Sequence, residues 1–302
     1  MVTKNLKYSE EELAIGIVFK MLRQAKGFSQ REAAGKEISV PQISNFEHGK
    51  TILVTHHFLA VLNNINVDMF EFQNAYNQYL DSKDILLFST KVSEAVMTQN
   101  IALLELLLKK VENALSFNPD NKKLKLDNIR IKSVLYFVNT SYTITDNELN
   151  FLTNYFYNLK EWGLYDIRLF GQCAQFIDIL KLADLTSKMI APMQTNCELH
   201  HIKLAVIQCV LNIINVFVNQ KMFEPARRLI KYLEDNEIHE YFMFEKLTLI
   251  YNRANYSFQR GDREAAKIMK KCLEVLKFCD CSKTATQVAR ELHDWEIEVP
   301  NS

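Results

Sequence analysis

Glycine and proline are scarce in this chain, at 7 and 5 of 302 residues. So few breakers cannot supply the turns of a many-stranded protein, and alternating apolar runs are rare, so the sequence is expected to be all-α. Charge of one sign is also missing: 36 basic residues balance 36 acidic ones, which excludes a whole-protein basic field for nucleic acid. No unbroken run of 18 apolar residues occurs, so no membrane span is expected. The polar, acidic start (Ser9-Glu10-Glu11-Glu12) lacks the apolar stretch of a signal peptide. No Gly-rich phosphate loop, nucleophile-plus-base set or paired carboxylates emerge, so neither an enzyme nor a cofactor is expected. The six cysteines (173, 197, 209, 272, 279 and 281) lie mostly in helical apolar patterns and read as reduced cytoplasmic thiols. Cys272, Cys279 and Cys281 are too few and wrongly spaced for structural zinc, so no metal is expected.

What is present is a chain that is 48% hydrophobic and long enough for about two domains. Residues 28–49 read as two short helices joined by a tight turn. Helix 1 is expected over 11–25, with Leu13, Ile17, Met21 and Leu22 at helical spacing and Gly27 as its stop. Ser29 caps the second helix, with Glu32 completing a capping box, and Gly35 ends it. Ser39 caps the third, with Pro41 in its first turn. A fourth helix is expected over 55–64, with Phe58, Leu59 and Leu62 inward, and a fifth over 69–80. That is a helix-turn-helix layout, whose second helix reads the major groove of double-stranded DNA. Ile38, Ile43 and Phe46 face its core. Gln42, Ser44 and Asn45 face outward, and Gln and Asn suit adenine edges. Gln30 suits a phosphate at the second helix's N-terminus, Ser39 stands at the start of the reading helix, and Arg31, Lys36 and Lys50 suit the DNA backbone. Six basic residues (Lys20, Arg23, Lys26, Arg31, Lys36, Lys50) outnumber three acidic ones (Glu32, Glu37, Glu47) here, a local positive face within a neutral whole. This domain is placed at 1–73, with a linker at 74–84 that opens the remainder, 74–302.

From about residue 85 the chain reads as helical pairs, expected over 85–98, 99–116, 122–140, 146–160, 165–181, 183–195, 199–219, 222–236, 240–259, 262–279 and 283–296. A repeat of period 40 aligns Glu224–Leu229 and Leu233-Glu234 with Glu264–Met269 and Leu273-Glu274. Arg260-Gly261-Asp262 is a turn of tetratricopeptide type. Degenerate units of this kind stack into a right-handed superhelix with a concave binding surface. The same register aligns Gln172, Asn212 and Asn252, and likewise Gln175, Asn215 and Asn255. Arg168, Gln208 and Thr248 extend the stripe back by one turn. The spacing i, i+4, i+7 puts each set on one helix face. A carboxamide both donates and accepts, which suits an extended peptide backbone. Neighbouring aromatics such as Tyr256 would line side-chain pockets, and Arg168 could meet a carboxylate. The alternative is that these amides bond one another, or backbone, between packed helices. Lys122, Lys123 and Lys125 read as a solvated face.

The run Ala34–Gly49 (AGKEISVPQISNFEHG) resembles the helix-turn-helix of Rgg-type regulators, with a turn one residue shorter than in the general phage-repressor class. Phe58–Phe72 (FLAVLNNINVDMFEF) and Glu161–Gly171 (EWGLYDIRLFG) are similar to the same family. The resemblance implies peptide-pheromone-sensing (quorum-sensing) transcription factors of low-GC Gram-positive bacteria, with a helical-repeat C-terminal domain. Asn45 and His48 depart from the pattern, standing where Arg is common, so promoter specificity does not carry over. The expected function is a cytoplasmic homodimeric transcription factor that binds a two-fold DNA site and is tuned by a short signalling peptide. The competing readings are a helical-repeat adaptor that sequesters another protein, and a regulator of the same fold without a peptide ligand.

Overall fold

The computed structural model describes residues 10–82, 91–92, 94–95, 98, 100–136, 139–191 and 200–295. Among them the only regular elements are helices. Contacts divide the chain into two compact units, 1–107 and 108–302. Most of the helix expected over 85–98, the break at Pro192, and Cys197 lie outside the described residues.

In the first unit the helices are α1 (Glu10–Ala25), α2 (Gln30–Ala34), α3 (Val40–Glu47), α4 (Thr55–Asn64) and α5 (Met69–Ser82). The start of α2 follows from side chains that satisfy free backbone N–H groups. Ser29 N donates to Glu32 Oε2 at 2.7 Å while Glu32 N donates back to Ser29 Oγ at 3.2 Å. Several helices, here α1, α3 and α4, end in paired bonds that close over a residue at positive φ. After α3, Gly49 (φ 64°) donates to Phe46 O and Lys50 donates to Asn45 O, the Schellman arrangement. The core gathers Val18, Phe19, Ala33, Ile38, Ile43, Phe46, Val61, Leu62, Ile65 and Phe72.

Two inward faces differ from expectation. The buried line of α1 runs through Ala14, Val18 and Phe19, whereas Met21 is 55% exposed. In α4, Val61 is buried and Leu59 points out. The reason for the first shift is Gly16: a Cβ there would fall 2.0 Å from the main-chain oxygen of Phe46. The α1 backbone thus lies directly on α3, and the residues flanking that approach are the ones enclosed.

The second unit contains α7 (Lys122–Tyr136), α8 (Asp146–Tyr157), α9 (Leu164–Cys173), α10 (Ile179–Ile190), α11 (His200–Asn219), α12 (Phe223–Asp235), α13 (Met243–Gln259), α14 (Ala265–Phe278) and α15 (Ser282–Asp294). Helix α6 (Ile101–Phe117) spans the division between the units. The single helix expected over 165–181 is instead broken. It ends at Cys173, tightens into a 3-10 turn at Ala174–Phe176, and restarts at Ile179. Asp178 causes the restart, because its carboxylate accepts from Leu180 N and Lys181 N at 3.1 Å each, an N-cap. Gln175 therefore leaves the helical face it was expected to share with Gln172.

Helix α11 is the axis of this unit and packs against α9, α10, α12 and α13. Its segment Ile202–Asn219 has a mean hydropathy of 1.8 and meets the length and composition of a membrane span, contrary to the expectation that none exists. Here those residues are core: Val210, Ile213, Ile214, Phe217 and Val218 are buried among the neighbouring helices. Gly171 brings α9 close to α11, since a Cβ on it would lie only 3.1 Å from Cys209 Cα. The period-40 register holds in burial at two positions, where Leu229 and Leu233 of α12 match Met269 and Leu273 of α14, whereas the buried Ala226 aligns with the partly buried Ala266, its neighbour Ala265 being the one enclosed. The lysines of 122–125 are not merely solvated. Lys122 and Lys125 lie over the rings of Tyr155 and Phe151, and Lys123 pairs with the fully buried Asp127.

Replacing Gly16 with Ala should destabilise the first unit by about 2–3 kcal/mol, because main chain cannot yield as a side chain can. Urea unfolding of the two proteins checks this, and an unchanged midpoint would contradict the close approach of α1 to α3.

Candidate functional site

The helix-turn-helix is held by one buried ion pair. Arg23 donates through Nε and Nη2 to the two carboxylate oxygens of Glu47, at 2.5 and 3.0 Å. Its Nη1 donates to Phe28 O at 2.6 Å. Gln30 Nε2 donates to Glu47 Oε2 at 2.8 Å. These bonds tie the end of α1, the following turn and the start of α2 to the last residue of α3. A bidentate guanidinium–carboxylate pair gives that junction a fixed geometry. The local positive face expected from sequence therefore loses Arg23 to the interior, and Lys26 is paired with Glu71 at 2.9 Å. Arg31, Lys36 and Lys50 are exposed.

The turn between α2 and α3 pivots at Gly35 (φ 56°), where a Cβ would lie 2.6 Å from Asn64 Nδ2. Asn64 in turn donates to Ala33 O at 3.1 Å, which fixes α4 behind the turn. On α3, Ser39, Val40, Pro41 and Gln42 are exposed, and Ser44 and Asn45 are half-buried. Gln42 also acts locally, where its Oε1 accepts from Ser39 N at 2.9 Å and from Ser39 Oγ at 3.0 Å. Its amide hydrogens stay available, while its oxygen is engaged in the cap. Gln30 is likewise partly engaged, through Glu47.

In the second unit the amide register divides into two groups. Three amides are bonded inside the protein. Gln172 Oε1 accepts from Arg130 Nε at 3.0 Å, Gln208 Nε2 donates to Glu245 Oε1 at 2.8 Å, and Asn252 Nδ2 donates to Leu211 O at 2.9 Å. The next position of the register behaves differently. Gln175 Nε2, Asn215 Oδ1 and both amide atoms of Asn255 are buried with no hydrogen-bond partner among the described residues. A buried polar group left unpaired costs about 1–3 kcal/mol, and here three such residues recur at 40-residue intervals. Tyr256 accepts from Arg260 Nη1 at 3.1 Å and packs edge-on against Phe223. Arg168 is exposed on α9.

Four of the expected residues, Asn212, Asn215, Thr248 and Asn252, line one cavity of about 250 Å³. Its far wall was not anticipated: Tyr251 of α13, Cys272 and Leu276 of α14, and Thr284, Gln287 and Glu291 of α15. Tyr251 OH donates to Glu291 Oε2 at 3.0 Å, and Gln287 Nε2 to Glu291 Oε1 at 3.3 Å. Burial pushes the pKa of Glu291 above the ordinary carboxylate value and that of the Cys272 thiol up to about 11, so the thiol stays protonated. Gln287 and Glu291 stand four apart on a helix, which the sequence does display, but the 40-residue register stops before them. A second cavity of about 300 Å³ lies beside Lys125, Asn128, Glu148 and Phe151. Its carboxylate is already neutralised, with Lys132 Nζ at 2.8 Å from Glu148 Oε1. None of the expected ligand-binding residues lines it.

Residues 104–290 match the family model described as the C-terminal domain of the HTH-type transcriptional regulator Rgg. The fold is similar to that of the SHP pheromone receptor Rgg2 of Streptococcus dysgalactiae. The two are 22% identical, the likeness covers 93% of this chain and 99% of that one, and the TM-score is 0.70. It is also similar to PrgX in its complex with cCF10, at 13% identity and a TM-score of 0.67, covering 93% of this chain and 99% of that one. The chain belongs to the Rgg family.

A Gln42→Glu substitution separates the two roles of that residue. A carboxylate keeps the capping box but removes the donor that an adenine N7 needs. Thermal stability should hold within about 0.5 kcal/mol while base preference is lost in a binding-site selection. Retained preference would remove Gln42 from the reading surface.

Proposed function

Starting from membership of the Rgg family, we propose that this protein is a sequence-specific DNA-binding transcriptional regulator, cytoplasmic and homodimeric, whose helical-repeat domain binds a short signalling peptide. DNA contact is assigned to residues 1–73 and peptide contact to 74–302. Arg31, Lys36 and Lys50 are the backbone contacts, joined by Gln30 with its remaining amide hydrogen. Ser39, Gln42, Ser44 and Asn45 occupy the exposed side of α3 and its approach to base edges. A single helix-turn-helix is a small reader, and two-fold pairing places two of them on successive turns of a duplex.

The peptide assignment is carried by the unpartnered amides of Gln175, Asn215 and Asn255. A peptide backbone N–H offered to Asn215, the one of the three that lines the cavity, would remove a cost borne by the empty protein. Asn212, Thr248 and Asn252 supply further polar wall, and Arg168, Gln172, Gln208 and Tyr256 extend the assignment along the register. The internal bonds of Gln172, Gln208 and Asn252 favour the alternative, a regulator of this fold that works without a peptide. Binding of a synthetic peptide library to the full chain decides between the two, with the peptide reading expecting enrichment of specific sequences and the alternative expecting none.

Asn215→Leu is a sharper test. Removing its unpaired amide oxygen should raise the stability of the ligand-free protein by about 1 kcal/mol and abolish binding of any enriched peptide. A variant that is destabilised and still binds would overturn the role of that row. For DNA, Lys50→Ala should weaken binding evenly across sequences and lower the slope of log affinity against log salt by about one unit. Gel shifts at several salt concentrations measure this, and an unchanged slope would remove Lys50 from the interface.

A further inference from the structure

Resting on the peptide reading of the amide-lined cavity, we propose that this cavity receives a cationic group of its ligand, an ammonium or a guanidinium, against the carboxylate of Glu291. The charge pattern of the wall carries the inference. Among the described residues, Glu291 is the one charged group that lines the cavity, and no Lys, Arg or His does. The partners described for its carboxylate are neutral, the hydroxyl of Tyr251 and the amide of Gln287. In the cavity beside Lys125 and Asn128 the carboxylate, Glu148, already has its lysine.

Several of the other polar groups present acceptor oxygens. Thr248 Oγ1 spends its hydrogen on Phe244 O at 2.8 Å, and Asn252 Nδ2 spends one on Leu211 O. Tyr251 spends its hydrogen on Glu291 itself. Asn215 Oδ1 is a buried acceptor without a donor among the described residues. Beside Glu291 the wall thus offers acceptor oxygens on Asn215, Thr248 and Tyr251, so a guest that brings several N–H donors and a positive charge fits it. Leu211, Phe244, Leu247 and Val288 line the rest of the cavity and suit an alkyl stem behind such a head group. Burial raises the pKa of Glu291; an incoming cation reverses that by favouring the ionised form. The carboxyl-terminal end of a peptide is thereby directed away from this cavity.

The test uses the full chain and three probes of equal length: hexylamine, hexanol and hexanoate, titrated near neutral pH and read by thermal shift and calorimetry. Hexylamine should bind the wild type best. Glu291→Gln, which keeps an acceptor for Tyr251, should weaken hexylamine roughly tenfold and leave hexanol unchanged. Thr284→Lys, which sets a resident cation in the wall, should exclude hexylamine and spare hexanol. Equal binding of amine and alcohol to the wild type, or undiminished amine binding to both variants, overturns the proposal. Random heptapeptides separate it from the reading it rests on. A library that binds Glu291→Gln as well as wild type overturns the cation pocket and leaves the peptide reading standing. Libraries that never bind wild type, beside a Glu291-dependent amine, overturn the peptide reading and support the pocket. Within libraries that bind, loss on N-acetylation identifies the α-amino group as the cation, and retention only by Lys- or Arg-containing peptides identifies a side chain.

Discussion

The enclosure of the helix His200–Asn219 is the constraint on which the second unit depends. It is apolar enough to cross a membrane by composition, and it meets helices on most sides. Protein replaces lipid as its surroundings, which makes each polar residue on it a local problem. Gln208 is met by Glu245, whereas Asn215 is left with an unpaired oxygen among the described residues. In a helix exposed to water that oxygen would cost nothing. Inside a close-packed unit it is a standing demand for a partner.

The first unit solves the same kind of problem in the opposite way. Arg23 and Glu47 are 7% and 2% exposed, and every strong donor and acceptor described for the pair is used internally. Breaking such a pair would leave a buried charge alone, which costs about 3–5 kcal/mol. The result is a rigid junction under α3, so the exposed residues Ser39 to Gln42 are presented at a fixed angle. One unit therefore holds its polar interior closed and offers a surface, while the other leaves the buried oxygen of Asn215 unpaired on the wall of a cavity.

Much of this was readable in the residues. Capping pairs such as Ser29 with Glu32 act between neighbours along the chain, so the ends of α2 match the expected ones. The 40-residue register survives where Leu229 and Leu233 repeat the packing surface that Met269 and Leu273 use. The failures are those where a distant part of the chain decides. Met21 has helical spacing with Leu13 and Ile17, but the contact of Gly16 with the Phe46 carbonyl turns α1 so that Val18 and Phe19 face inward. The break after Cys173 depends on a cap at Asp178 that apolar periodicity does not register.

By itself the sequence determined an all-helical chain, the caps and turn of a helix-turn-helix, and a row of amides at repeating positions, because each follows from backbone geometry over a few residues. Tertiary structure alone decided which of those amides are bonded and which are not. Gln172 finds Arg130 from 42 residues away and Asn252 finds the Leu211 carbonyl from 41, whereas Asn255 finds no partner among the described residues. It also decided that Glu291 and Tyr251, 40 residues apart, close the wall opposite Asn212. A hydrogen bond depends on distance and direction in space, and those are set only once the helices have packed.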